Sequence, residues 1–357
     1  MGARVCDILT APRYNLTIGK AENFLNFTFT TSLIAVAISF TASGQSAPAR
    51  KPATAKAIAR THDGHPDLQG NWLNNSATPF ERPKELEGRQ FLTDEEVAEL
   101  NRRAQRIFAP DSGSDAAAPD GYFMAAFRNV KVYKSGGATD SAERVTDLVI
   151  DNRTSLIIDP PDGKMPAYTE TGRRRRAAYG RSRSGNGNPA GPDEVAPGDR
   201  CITYSVPRVN GVYSAGLHGY YQIVQTLDQV VLFSENIHEF RIVSLDGRPH
   251  LPASVRNWSG DSIGHWEGDT LVVDTTNFKA QLHPLAISEK FQLTERFTRI
   301  APDEIRYEMT FDDPDTWVRP WTAMIRLKHT DDRLFESACH EGNEAIMKTI
   351  LSGNLSK

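Results

Sequence analysis

From about residue 219 onward the chain is a succession of short segments in which apolar and polar residues alternate. No other feature limits the available folds as much. In 304–311, Ile305, Tyr307, Met309 and Phe311 fall on one side, and Arg306, Glu308 and Thr310 on the other. In 321–327, Trp321, Ala323, Ile325 and Leu327 oppose Thr322, Met324 and Arg326. Strand side chains alternate with a period of two, so each segment has one apolar face and one wet face. The connectors are tight: Leu-Asp-Gln at 227–229, Glu-Gly-Asp at 267–269, Ala-Pro-Asp at 301–303 and Thr-Asp-Asp at 330–332. Such turns join antiparallel neighbours as hairpins. About eight or nine sequential strands predict a mainly β fold, an antiparallel up-and-down sheet closed into a barrel, because closure removes the exposed edges of a long sheet. A two-sheet β-sandwich is the alternative.

Upstream, "FLTDEEVAELNRRAQRIF" predicts an amphipathic helix. Thr93 and Glu96 have capping-box spacing, and Val97, Leu100, Ala104 and Ile107 recur at helical intervals. Residues 155–159 predict a short buried strand stopped by Pro160 and Pro161. The run Arg173–Arg176 precedes a stretch rich in Gly, Ser, Asn and Pro. With a formal net charge of −4, that run reads as a solvated helix end rather than a nucleic-acid patch. The segment "RLFESACH" predicts a final strand, and "NEAIMKTIL" a helix with Asn343 as its N-cap.

The first residues read as a targeting segment. Arg4, Arg13 and Lys20 precede an apolar run from Leu33 to Phe40, followed by Ala42-Ser43-Gly44. The run is too short for a stable membrane span and matches a cleaved export signal. The expected division is a signal peptide at 1–44, a flexible linker at 45–64, a helix- and loop-rich part at 65–200 packing on the barrel, and the barrel with its C-terminal helix at 201–357. Export to the periplasm or the medium leaves Cys201 and Cys339 as an even pair in an oxidising compartment, which predicts a disulfide.

The segments "DLQGNW", "RTSLIIDPPDGKMP", "GHWEGDTLVVDTTNF" and "ACHEGN" resemble a large group of exported bacterial proteins, over roughly residues 65–352. The members are mostly labelled hypothetical, so the resemblance implies little about activity. The barrel portion also resembles the lipocalin-like (calycin-type) architecture, which hosts small-molecule binders and a few cofactor-free enzymes, an analogy of fold alone.

No GxSxG, HExxH, P-loop or post-strand GxGxxG is present. The polar residues near strand ends are therefore the candidates for chemistry. His238 and His340 are the expected acid and base, with Asp261 or Asp274 orienting one of them. Tyr221, Tyr307, Trp321 and Arg296 are the expected substrate contacts. His238, His265, His340 and Glu341 would hold a metal only if three separate turns converged, so no metal site and no cofactor are expected. The expected function is cofactor-independent acid–base catalysis of lyase, isomerase or cyclase type on a small apolar or aromatic molecule inside the barrel. The alternatives are a non-catalytic binder of a small ligand and a hydrolase of a secreted ester or glycan. No nucleic-acid partner is expected.

Overall fold

The computed structural model describes residues 57–135, 148–183, 189–204, 207–208 and 219–352. The export signal at 1–44 and most of the linker lie outside the described residues.

Ten strands form one sheet: β1 (Gly70–Leu73), β2 (Ile157–Asp159), β3 (Tyr220–Gln225), β4 (Gln229–Ser234), β5 (Glu239–Ser244), β6 (Asp261–Glu267), β7 (Thr270–Thr276), β8 (Gln292–Ala301), β9 (Glu304–Asp312) and β10 (Trp321–Thr330). Nine of them close a mixed barrel in the order β1-β3-β4-β5-β6-β7-β8-β9-β10, with β1 pairing back to β10. β2 pairs with the start of β10, at Thr322 and Ala323, while β1 pairs with its end, at Lys328–Thr330. The chain thus forms a barrel and not a sandwich. Its inward residues match the alternation: Ile305, Tyr307, Met309, Phe311, Trp321, Ala323, Ile325 and Leu327 are all buried. Phe311 stacks on Trp321 at 4.0 Å between ring centroids, and Trp317 packs edge-on against both. Each such ring contributes about 1.5–3 kcal/mol by leaving water.

Three details differ from the expectation. The sheet is not antiparallel throughout, because β5 and β6 run parallel and pair only at Val243–Ser262 and Ser244–Ile263. The long connection 245–260 makes this possible by carrying the chain back along the barrel before β6 begins, a crossover of the length parallel pairs require. Residues 333–338 form no strand. The sheet has closed by then, since β1, from the N-terminal part, already occupies the free edge of β10. Asn343 is the first residue of helix α4 (Asn343–Leu351) rather than its cap, and Gly342 fills the cap position with φ +77°. The Asn343 amide instead donates to the carbonyl of Asp199 at 3.2 Å.

The strand directions give the barrel two unlike ends. The tight turns at 226–228, 268–269 and 302–303 lie at one end. The connections 235–238, 277–291 and 313–320 lie at the other. The turn end is closed by the stretch before β1. Arg60 forms a two-bond ion pair with Asp269, His65 stacks on Trp266 at 4.5 Å, and Leu68 is fully buried with its N–H on Gln225. Residues 57–64, expected as the end of a tether, are thus part of this closure.

Helix α1 (Asp94–Ile107) has the predicted capping box, with Thr93 and Glu96 bonding reciprocally. With α2 (Pro119–Phe127) it encloses a second small core around Leu100, Phe123 and Ile150. Arg153 joins this layer to the barrel by donating to the Met324 carbonyl at 2.6 Å. Helix α3 (Glu170–Ser182) carries the arginine run. Arg175 donates to the carbonyls of Ala286 and Asp315, so it anchors a barrel-end connection.

Candidate active site at the loop end of the barrel

The inward faces of β3, β5, β8 and β9 bring four polar side chains into the barrel. Arg241 on β5 meets Glu295 on β8 through two hydrogen bonds of 2.6 and 2.7 Å. Both are buried, Glu295 completely. The Tyr307 hydroxyl donates to the same carboxylate. Arg241 also reaches the Thr275 hydroxyl, which is hydrogen bonded to Ser262 at 2.8 Å. Burial opposes the charge on Arg241, but the bidentate carboxylate more than offsets it and raises the guanidinium pKa. Burial, followed by the Glu295 charge, pushes the Tyr307 phenol well above its ordinary value.

Tyr221 on β3 is different. Its hydroxyl is buried and has no hydrogen-bond partner among the described residues. Burial pushes its pKa up to about 12, so it is a neutral donor at physiological pH. Arg208 stands beside the same cavity. One of its terminal nitrogens donates to the Asn236 carbonyl at 2.6 Å and to Glu239 at 3.2 Å. Its other terminal nitrogen, Nη1, is buried without a partner among the described residues. Unpaired buried donors are rare, because each forfeits its hydration. Here three residues that carry one, Arg208, Tyr221 and Ser234, line one cavity, whose apolar wall includes Ile223, Leu232, Phe297 and Leu327. The cavity is narrow, about 40 Å³, enough for a head group of a few atoms.

Glu239 stands at the cavity mouth. Its carboxylate accepts from Thr203 at 2.7 Å, Ser259 at 3.0 Å and Arg208. Glu239 and Arg241 also line a second, more open depression of about 450 Å³ on the outer side of β5, with His238, Trp258 and the Cys201 backbone segment.

The residues singled out from the sequence distribute unevenly. Tyr221 and Tyr307 line the cavity. His238 and His340 come together at the loop end with ring centroids 6.0 Å apart, both exposed. Neither ring has a carboxylate partner among the described residues. Asp261 is buried and committed elsewhere: it accepts from Arg248, His250 and the Leu251 N–H. Burial would raise its pKa, but these donors bring it down to about 2. Asp274 accepts from Thr294 on the outer face, so neither aspartate orients His238 or His340. Arg296 pairs with Glu267 on the surface. Trp321 is core, stacked on Phe311. Cys201 and Cys339 lie at disulfide distance, with 5.8 Å between their Cα atoms. Among the described residues no three His, Cys, Asp or Glu side chains converge on a metal-sized site.

Arg208, Arg241 and Glu295 are the residues that reading the sequence missed. A signal existed for two of them. Glu295 sits between Leu293 and Phe297 on an apolar face, and Arg241 precedes Val243 on another. A charge on the buried side of a strand requires a partner. Comparison with family models, characterised proteins and solved structures yields no match for the chain.

Proposed function

We propose that the chain is a cofactor-independent acid–base catalyst, of lyase or isomerase type, for a small and largely apolar molecule bearing a carbonyl oxygen. The observation that supports this is that two buried donors on one cavity, Arg208 Nη1 and Tyr221 OH, have no partner among the described residues. Preorganised donors in a dry site stabilise an oxyanion more than they stabilise the neutral carbonyl, and that difference lowers the barrier. Glu239, across the mouth, is the candidate base. It accepts the proton from the carbon next to the carbonyl. The C–H electron pair forms the C=C bond, and the carbonyl π pair moves to oxygen, where Arg208 and Tyr221 hold the charge. Return of the proton to another position completes an isomerisation. The Arg241–Glu295–Tyr307 group fixes the floor of the cavity. A location outside the cytoplasm belongs to the same proposal, since it would maintain the Cys201–Cys339 bond.

A second reading is a carrier of the same ligand without turnover, favoured by the fact that Glu239 is already paired with Arg208. Phenylpyruvate separates the two, being aromatic and enolisable. In D2O the wild-type protein should accelerate deuterium exchange at its methylene carbon. Glu239→Gln should lower that rate at least 100-fold and Tyr221→Phe about 10–100-fold. Binding without exchange supports the carrier, and neither binding nor exchange overturns both.

A further inference from the structure

We infer that the open depression outside β5 is the subsite for the apolar, preferably aromatic, body of the ligand whose oxygen is held inside the barrel. This rests on the reading of Arg208 and Tyr221 as the oxygen site. The inner cavity, at about 40 Å³, takes a head group and no ring, whereas the depression is about 450 Å³. The two spaces are contiguous in their walls, because Glu239 and Arg241 line both.

The topology explains why the wall is open here. β6 starts at Asp261 and pairs with β5 only from Val243 onward. Toward the loop end, Glu239–Ile242 therefore has no strand neighbour on that side among the described residues, and the crossover segment 257–260 reaches it there only through the Ser259 hydroxyl on the Glu239 carboxylate, among the hydrogen bonds described. Gly264 allows the close approach further down: a Cβ there would lie 2.8 Å from a Val243 methyl and 2.9 Å from Leu245. The barrel is tight at Gly264 and parted at Glu239.

The lining fits a flat apolar group with a negative charge nearby. Phe240 and Ile242 are 59% and 49% exposed, unusual for side chains of this size on a strand. Trp258 forms the facing wall, with Arg200 at 5.8 Å and Lys279 at 5.3 Å from its ring centroid. Arg200 is paired with Asp193, whereas Lys279 has no acidic partner among the described residues. His238 completes the rim. A cationic rim around an aromatic wall favours an aromatic acid over a neutral one.

The test compares phenylpyruvate with pyruvate, which shares the head group and lacks the ring. For the wild-type protein, phenylpyruvate should bind at least tenfold more tightly. Trp258→Ala and Ile242→Asp should remove that preference and leave pyruvate binding within twofold, with circular dichroism unchanged. Tyr221→Phe should weaken both ligands by the same factor. A preference for phenylpyruvate that survives both groove substitutions overturns the subsite. A wild-type protein that binds neither ligand, or a Tyr221→Phe variant that binds both normally, overturns the oxygen site instead.

Discussion

His283 shows how one buried residue sets a pH limit on the whole chain. Its ring is buried; Nδ1 accepts from the Leu285 N–H at 3.2 Å, so the proton resides on Nε2, which has no partner among the described residues. Burial lowers its pKa from 6.5 to about 3. Below pH 6.5 the unfolded chain takes up a proton that the folded chain refuses. Stability is therefore intact above pH 6.5 and falls as the pH drops toward 3, by about 1.4 kcal/mol per pH unit from this group. His283→Gln should flatten the fall in urea midpoint between pH 6.5 and 4.5. An unchanged slope would place the effect on another group. Asp261 adds its own loss at lower pH: its depressed carboxyl contributes about 2 kcal/mol above pH 4, and that contribution disappears between about pH 4 and 2. Sequence reading did not single out His283, because nothing local distinguishes a buried histidine from an exposed one. Asp261 was singled out for chemistry, but Arg248, only 13 residues away, holds it as a structural acceptor.

Among the elements, the β5–β6 pair is the one the sequence misdirects. Alternation in β5 and in β6 predicts two strands and is silent on their relative direction. The direction follows from the crossover 245–260, which Asp261 ties down through Arg248, His250 and Leu251. The pair is short, so its two paired positions depend on the close approach at Gly264. In Gly264→Val the new side chain meets Val243, Leu245 and the Val272 carbonyl. We expect a loss of about 1–3 kcal/mol, the range for overpacking. Hydrogen exchange should increase first in β5 and β6; uniform loosening of the barrel would contradict a local role. The hairpins β6–β7 and β8–β9, by contrast, follow their turn residues directly, with Gly268 at φ +59° as the Glu-Gly-Asp turn requires.

For the whole molecule, the Cys201–Cys339 link joins the segment before β3 to the segment after β10, with a sequence separation of 138. In the chain-entropy model a loop of that length contributes roughly 4–5 kcal/mol. The paired variant Cys201→Ser/Cys339→Ser should lower the guanidinium midpoint accordingly while keeping the barrel's far-UV spectrum. A midpoint shift below about 1 kcal/mol would mean that the loop end is held by its other bonds, such as Asn343 to Asp199 and the Phe335 N–H to Glu235. The link also fixes the neighbourhood of His238 and His340, which explains why two histidines far apart in sequence stand 6.0 Å apart without a carboxylate to hold them.

Local chemistry in the chain was enough to specify a closed, mainly β barrel, its inward faces, the capped helix α1 and the cysteine pair. Each depends on a pattern a few residues long or on a count, and such patterns survive whatever the distant chain does. The strand that closes the barrel, the parallel turn of direction at β5–β6 and the site itself have no such pattern. Arg241 and Glu295 lie 54 positions apart and meet only because the register of four successive strands carries them to the same depth in the lumen. Arg208 Nη1 and Tyr221 OH are buried without a partner among the described residues only because the fold encloses them. A side chain's type is encoded at its own position, but its partner, its burial and its leftover hydrogen bond are properties of everything folded around it.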